Sequence, residues 1–303
     1  MNTRCIVTGA NGFIGRELVR QLKENNYDVE EINRLNDSGI FAKLNLNSTN
    51  MISAIASIIN EYNPKVIFHL AAETSINKSW QSAFEFISTN ISLTENLIEA
   101  LKVSNSKPLL IYFSSSAVYA ESRIPLVETS RLSPNSPYAI SKFACESSLQ
   151  RYKNSIVVRP FFTIGARKSG DFIDDWLIQL KEIKDSSQEG VLKVGNLKLK
   201  RDFLEVSESA RILIELSKKC LPGEVYNICS GTETTLEEIC QTLIFEMDCS
   251  RIVKIKSESK INSETRTCVI GSADKLVKIG IQPNFQIDYT LKKIISERFK
   301  VEK

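Results

Sequence analysis

Apolar residues follow two alternating rhythms through the first half of the chain. Short runs at Arg4–Thr8, Asp28–Asn33, Val66–Leu70, Leu109–Ser114 and Ile156–Arg159 have the length and β-branched content of strands. Between them lie longer segments with helical spacing. In Phe13–Asn25, Ile14, Leu18 and Leu22 fall at i, i+4 and i+8. Met51–Glu61 reads as a helix closed by Asn63-Pro64, and Ala83–Leu101 and Pro137–Tyr152 as two more. Strand and helix in alternation predict an α/β fold, a doubly wound parallel sheet with helices on both faces. From Phe161 the rhythm breaks up around Gly165, Gly170, Gly190 and Gly195. Only Val206–Lys219 and Thr235–Phe245 remain clear helices there, the second opened by the capping-box pattern Thr234-Thr235-Leu236-Glu237-Glu238. The lysine-rich stretch Lys292 to Lys303 reads as a solvated helix face. The expected division is a cofactor domain over 1–160 and a smaller α/β substrate domain over 161–303, with part of 200–230 returning to the main sheet.

Composition narrows the chemistry. The chain has 303 residues, 42 % hydrophobic and 25 % charged, an ordinary globular balance. Its net charge of +3 is too slight to argue for nucleic acid or a membrane surface, and suits a small anionic substrate. Seven cysteines without a C-x-x-C pair read as reduced thiols of a cytoplasmic protein. His69 is the one histidine, which argues against a histidine metal site or a Ser-His-Asp triad. Placed at the end of a buried strand, it is expected to be structural. The start runs straight into a strand, leaving no room for a signal peptide, and no apolar run approaches the roughly 18 residues of a membrane span.

Gly9, Gly12 and Gly15 stand three residues apart between the first strand and the first helix, with Asn11, Phe13 and Ile14 among them. This is the arrangement of a Rossmann dinucleotide loop: a tight turn at Gly9, close approach of a pyrophosphate at Gly12, and helix-on-strand packing at Gly15. The helix start adds N–H groups and a positive dipole end. An acidic residue ending the second strand would bond the ribose 2′-OH of NAD. Arg34 stands there instead, suited to a 2′-phosphate, so NADP(H) is favoured and NAD(H) remains possible.

Tyr138 and Lys142 lie at i, i+4 on the helix that follows Pro137, hence on one face. A nearby ammonium is expected to lower the phenol from its ordinary value near 10 and make it an acid/base near neutral pH. With the glycine loop, His69-Leu70-Ala71-Ala72, Thr89-Asn90, Ser114–Tyr119, Ser136-Pro137-Tyr138, Arg159-Pro160-Phe161 and Arg201-Asp202-Phe203, the chain resembles the extended short-chain dehydrogenases/reductases of the NAD-dependent epimerase/dehydratase group. Within that group it looks most like GDP-4-keto-6-deoxymannose reductases and GDP-mannose dehydratases. That likeness rests on Val194–Leu197, Arg201–Val206 and Gly223–Gly231.

The resemblance implies roles. Gly9, Asn11, Gly12, Phe13, Ile14 and Gly15 would hold the cofactor diphosphate, Asn45 and Leu46 would touch adenine, and Leu70, Ala71, Ala72 and Asn90 would line the cofactor. Ser115 would bond the substrate oxygen beside Ser116, Tyr138 would be the acid/base, and Lys142 would bond the nicotinamide ribose. Arg201 and Arg266 would grip the substrate diphosphate. Relatives pair the helices matching Ala83–Leu101 and Pro137–Tyr152 across a two-fold axis, so a homodimer is implied. Departures are Phe162 for a usual asparagine, Ala166 for a proline and Ala120 for a glycine. Trp80 and Trp176 could stack on a base or pack in the core. The implied reaction is NAD(P)H-dependent reduction of a GDP-type 4-keto-6-deoxy sugar in bacterial surface-polysaccharide synthesis. Alternatives are a nucleotide-sugar 4-epimerase with tightly bound NAD and a non-catalytic dinucleotide sensor.

Overall fold

A computed structural model describes residues 2–32, 52–250, 252–257 and 266–299. The chain runs β1 (Thr3–Thr8), α1 (Phe13–Glu24), β2 (Tyr27–Ile32), α2 (Ile52–Tyr62), β3 (Val66–His69), α3 (Ile76–Gln81), α4 (Ala83–Val103), β4 (Leu109–Phe113), α5 (Pro137–Ser148) and β5 (Ser155–Pro160). Then come β6 (Phe162–Ile164), α6 (Phe172–Ser186), β7 (Gly190–Val194), β8 (Lys200–Arg201), β9 (Phe203–Glu205), α7 (Val206–Lys219) and β10 (Val225–Ile228). Last are β11 (Thr234–Thr235), α8 (Leu236–Glu246), β12 (Val253–Ser257), β13 (Cys268–Val269), α9 (Asp274–Lys278) and α10 (Ile287–Arg298).

Among the described residues, six strands form one parallel sheet in the order β10-β5-β4-β3-β1-β2. The Rossmann-like α/β fold follows from what each strand buries. Along β1, Cys5 and Val7 enter one core, with α1 and α7, while Ile6 enters the other, with α2, α4 and α5. Both faces being covered, the inner strands β3 and β4 carry continuous apolar runs instead of an alternating pattern, whereas the edge strand β2 carries Asp28, Glu30 and Glu31. The strand order reverses between β1 and β3, and such a switch point opens a crevice at the carboxyl ends of the strands.

The second half differs in scale. β10 joins the large sheet beside β5, and the remaining strands form small sheets: β11-β8-β13, β12-β7 and β6-β9. Helix α6, which the irregular glycine spacing obscured, packs Ile173, Trp176, Leu177 and Leu180 into a third core. Trp176 is therefore a core residue, edge-on to Phe172 at 4.9 Å, whereas Trp80 is 53 % exposed. Helix α10 buries Thr290, Leu291 and Ile294, so the lysine-rich end has a packed inner side as well as a solvated one. The capping box forms at Thr235 and Glu238. No helix among the described residues is long and apolar enough to cross a membrane.

Candidate active site

The glycine loop sits at the switch point. Gly9 has φ +72°, and a Cβ there would lie 2.8 Å from the Ala71 nitrogen, so only glycine lets β1 and the turn after β3 meet. A Cβ on Gly15 would lie 2.1 Å from the Gly9 carbonyl oxygen, which fixes α1 tightly on the loop. Gly12 is the N-cap of α1 and supplies no side-chain cap. The first turn of the helix thus keeps its N–H groups and dipole for an outside acceptor. This donor set fits a dinucleotide diphosphate. Leu70, Ala71 and Ala72 border the loop because Thr8 stitches the two strand ends: its carbonyl accepts from Leu70 N at 3.1 Å and its Oγ1 from Ala71 N at 3.2 Å.

His69 completes that stitch from below. Its Nδ1 lies 2.7 Å from Thr8 Oγ1 and its Nε2 3.2 Å from Thr94 Oγ1, with the ring 1 % exposed. Burial, reinforced by the Lys142 ammonium, pushes its pKa down to about 3, so the ring is a neutral structural bridge. Asn90 also lies beneath the crevice, 2 % exposed. Its Oδ1 accepts from Glu73 N at 2.7 Å, and its Nδ2 donates to the Glu73 carbonyl and to Ser141 Oγ. The amide expected on a cofactor is engaged in tying the turn after β3 to α5. Arg34, Asn45 and Leu46 lie outside the described residues.

The catalytic candidates converge from β4 and α5. Ser136 caps α5 by accepting from Ala139 N at 3.2 Å, with Pro137 at the first helical position. Tyr138 follows at once and packs edge-on to Phe86 at 6.2 Å. Ser115, just past β4, accepts from Ala117 N at 3.1 Å, and its hydroxyl lies close enough to the Tyr138 phenol to lower its pKa. Lys142 is 2 % exposed, donates to the Phe113 carbonyl at 2.7 Å and stands 5.2 Å from the Tyr112 ring centre. Burial pulls its pKa down to about 8. The phenol of Tyr138 departs from expectation. Burial holds it above its ordinary value against the lowering by Ser115, because the ammonium is turned to the Phe113 carbonyl. Near neutral pH the pair therefore presents a protonated phenol, a proton donor.

Across the crevice, parallel pairing of β8 and β13 brings Arg201 and Arg266 together. Both are buried, and Arg201 donates to the carbonyls of Lys200, Thr267 and Arg266 and faces the Phe162 ring at 5.4 Å. Phe162 thus fills the asparagine position with an aromatic surface for the guanidinium. The neighbouring Asp202, which sequence reasoning assigned no role, is a clasp. Its carboxylate is 0 % exposed and accepts from Ser230 N, Ser230 Oγ, Gly231 N and Gly271 N at 2.7–3.1 Å. Burial raises its pKa to about 6 despite those donors. Ser116 is 7 % exposed, and Ala117 after it carries no acid or base. Glu128 is committed elsewhere: its Oε1 accepts from Asn227 N at 2.8 Å. Among the described residues no cluster of His, Cys, Asp and Glu could hold a metal ion.

Known proteins are similar to this chain in sequence and in fold. The sequence profile described as the NAD dependent epimerase/dehydratase family matches residues 5–229. GDP-6-deoxy-D-mannose reductase of Pseudomonas aeruginosa is 27 % identical, covering 98 % of this chain and 97 % of its own. GDP-6-deoxy-D-talose 4-dehydrogenase of Aggregatibacter actinomycetemcomitans is 27 % identical over 91 % of this chain and 90 % of its own. Among solved structures, RMD from Pseudomonas aeruginosa complexed with NADPH superposes with a TM-score of 0.85 at 25 % identity, covering 99 % of this chain and 100 % of that one.

Proposed function

Because the chain belongs to the NAD dependent epimerase/dehydratase family, an NAD(P)-dependent group of nucleotide-sugar enzymes, we propose that it is an NADPH-dependent 4-ketoreductase of a GDP-linked 4-keto-6-deoxy sugar. The observation that carries this reading is the Ser115–Tyr138 pair beside a Ser116-Ala117 segment that has no carboxylate. Removing water from a hexose needs an additional acid/base at the sugar. Alanine cannot move a proton, and an unactivated serine is a poor base. Glu121 is exposed and Glu128 is bonded to the Asn227 backbone, so neither serves in its place. Whole-length likeness to a GDP-6-deoxy-D-mannose reductase, and to an NADPH complex in the same fold, supports the substrate and cofactor chosen.

In this reading a nicotinamide dinucleotide, when bound at the glycine loop, supplies hydride to the sugar carbonyl. The chain's own groups do the rest. Ser115 donates to the carbonyl oxygen and orients it, and Tyr138 passes its phenolic proton to that oxygen as negative charge develops. Lys142 orients the cofactor ribose, and the Ser115 hydroxyl favours the phenolate left behind. Arg201 and Arg266 neutralise the substrate diphosphate. The enzyme works in the cytoplasm, supplying a sugar for surface polysaccharide, as a homodimer paired through α4 and α5. Exposed Phe84, Ile140 and Phe143 on those helices support the pairing, and light scattering should give twice the chain mass.

The test is incubation with NADPH and 4-keto-6-deoxy sugars on GDP, CDP, dTDP and UDP, with products weighed by mass spectrometry. The expected result is NADPH-dependent gain of two hydrogens, fastest with GDP. Interconversion of intact sugars without net oxidation would replace the reading by a 4-epimerase, and loss of water from GDP-mannose by a dehydratase.

A further inference from the structure

Beneath the Ser115–Tyr138–Lys142 set lies a charged pair that no step above uses. The side chains of Arg159 and Glu146 are 5 % and 7 % exposed. Arg159 Nε donates to Glu146 Oε1 at 3.1 Å and its NH2 to Oε2 at 2.7 Å, a bidentate fork. Burying both charges is costly unless the remaining donors and acceptors are also met. They are: Oε1 also accepts from Ser114 Oγ, and Arg159 NH1 donates to the Glu128 carbonyl at 3.1 Å. The guanidinium lies 4.8 Å from the Tyr119 ring centre, and the Tyr119 hydroxyl donates to Asn227 Oδ1 at 2.6 Å.

The placement of these groups gives them a common purpose. Ser114 immediately precedes Ser115 at the end of β4, Glu146 stands one helical turn beyond Lys142 on α5, and Arg159 lies on β5. One carboxylate therefore joins the segment carrying the serine to the helix carrying the tyrosine and lysine, and anchors both to the next strand. We propose that Glu146, held by Arg159, is a positioning residue for the reaction, locking Ser115 against Tyr138 and Lys142, and that its charge favours the Lys142 ammonium. This rests on the reading of Ser115, Tyr138 and Lys142 as the catalytic set.

The charge half follows from what surrounds Lys142. From α5 come Tyr138, Cys145 and Glu146; from β4, Tyr112; from β3, the neutral His69; and from β5, Arg159 through its fork. Helix α4 sends Asn90 and Thr94 to Ser141 and His69, and neither titrates. Against the burial that lowers Lys142, Cys145 and Glu146 are the groups that raise it. Removing the Glu146 charge therefore removes one of the two groups that favour the ammonium.

Selective 13C labelling of lysine, with the Lys142 signal assigned by its loss in Lys142→Arg, reads the titration of Lys142 by NMR without substrate. Its midpoint should lie near 8 in the unaltered protein and fall by on the order of one pH unit in Glu146→Gln. Ser114→Ala, which keeps every charge, should leave the midpoint in place yet lower kcat by roughly tenfold with both KM values held. An unmoved midpoint in Glu146→Gln, or an unchanged kcat in Ser114→Ala, overturns the proposal. Should Glu146→Gln fail to fold, Ser114→Ala decides the positioning role alone. Absence of turnover in the unaltered protein with every sugar overturns the reading of the site instead, while the midpoint still decides the charge balance.

Discussion

Residues up to 160 and those after it solve the same problem of holding polar groups inside a fold by different means. In the large sheet, strands of four to six residues are paired along their length, apolar cores on its two faces set their position, and the polar groups buried with them bridge neighbouring elements. His69 is an example, neutral and held between two threonines. Beyond residue 160, β8, β11 and β13 have two residues each, too little to fix a register by burial. Ionic and polar clasps do it instead: Asp202 gathers Ser230, Gly231 and Gly271, and Arg201 gathers the carbonyls of Lys200, Arg266 and Thr267. The lesson is that each region encloses a titrating group of its own, an imidazole under the sheet and a carboxylate in the loops, and that the two respond to pH with opposite sign.

That contrast can be broken most forcefully at His69. Its folded pKa, about 3, lies below the ordinary 6.5, so its contribution is fully present above pH 6.5 and is lost as pH falls toward 3. The loss should reach about 5 kcal/mol at full extent. Urea unfolding from pH 7 to 3 should show this slope, and His69→Gln, which cannot charge, should flatten it. An equally steep loss in His69→Gln would show that the acid sensitivity resides elsewhere.

Asp202 should act with the opposite sign in the same range. Its folded pKa, about 6, lies above the ordinary 3.8, so its contribution is greatest below pH 3.8 and is lost as pH rises through 6. The amount should be about 3 kcal/mol. Asp202→Asn keeps the shape and removes the titration, so its stability should fall more steeply on acidification than that of the unaltered protein. A profile parallel to the unaltered one would mean that the clasp gains no proton in this range.

The smallest effect sharpens the cofactor side. Arg34→Ala should weaken NADPH by about 1.5–3 kcal/mol, the range for a hydrogen bond to a charged group, and leave NADH nearly untouched. Fluorescence titration with the two cofactors measures the difference. Equal weakening of both would take Arg34 away from the 2′-phosphate.

The same contrast explains what could be read from the sequence. The strands and helices of the first 160 residues, apart from the unexpected short helix α3, lie within a few residues of their expected bounds, because burial writes itself into apolar runs. Gly9 and Gly15, and Tyr138 with Lys142, were legible because each constellation is local and each residue type has a steric or chemical reason to be there. Helix α6 had its signal in Ile173, Trp176, Leu177 and Leu180, but the flanking Gly170 and Gly190 read as irregular chain. Asp202, Glu146 and Arg159 had no signal of that kind. Their partners come from distant segments, and a buried carboxylate looks like a surface one until the fold encloses it. The downward pull expected on the Tyr138 phenol failed for a related reason, since only the packed structure shows the Lys142 ammonium spent on the Phe113 carbonyl.

The position of β10 has a consequence for how the chain is made. Val225–Ile228 forms the strand outside β5, its hydrogen bonds running to Val157–Pro160. While the protein is being synthesised, Ser155–Pro160 leaves the ribosome long before the strand that covers its outer edge. During that interval β5 is an unpaired apolar edge, open to pairing with a neighbouring nascent chain. Closing it requires a contact between residues far apart in sequence, the slow kind of folding step. A chain that stops short of residue 225 keeps that edge, so fragments ending near residue 160 should collect as aggregates instead of folding as a free-standing nucleotide binder.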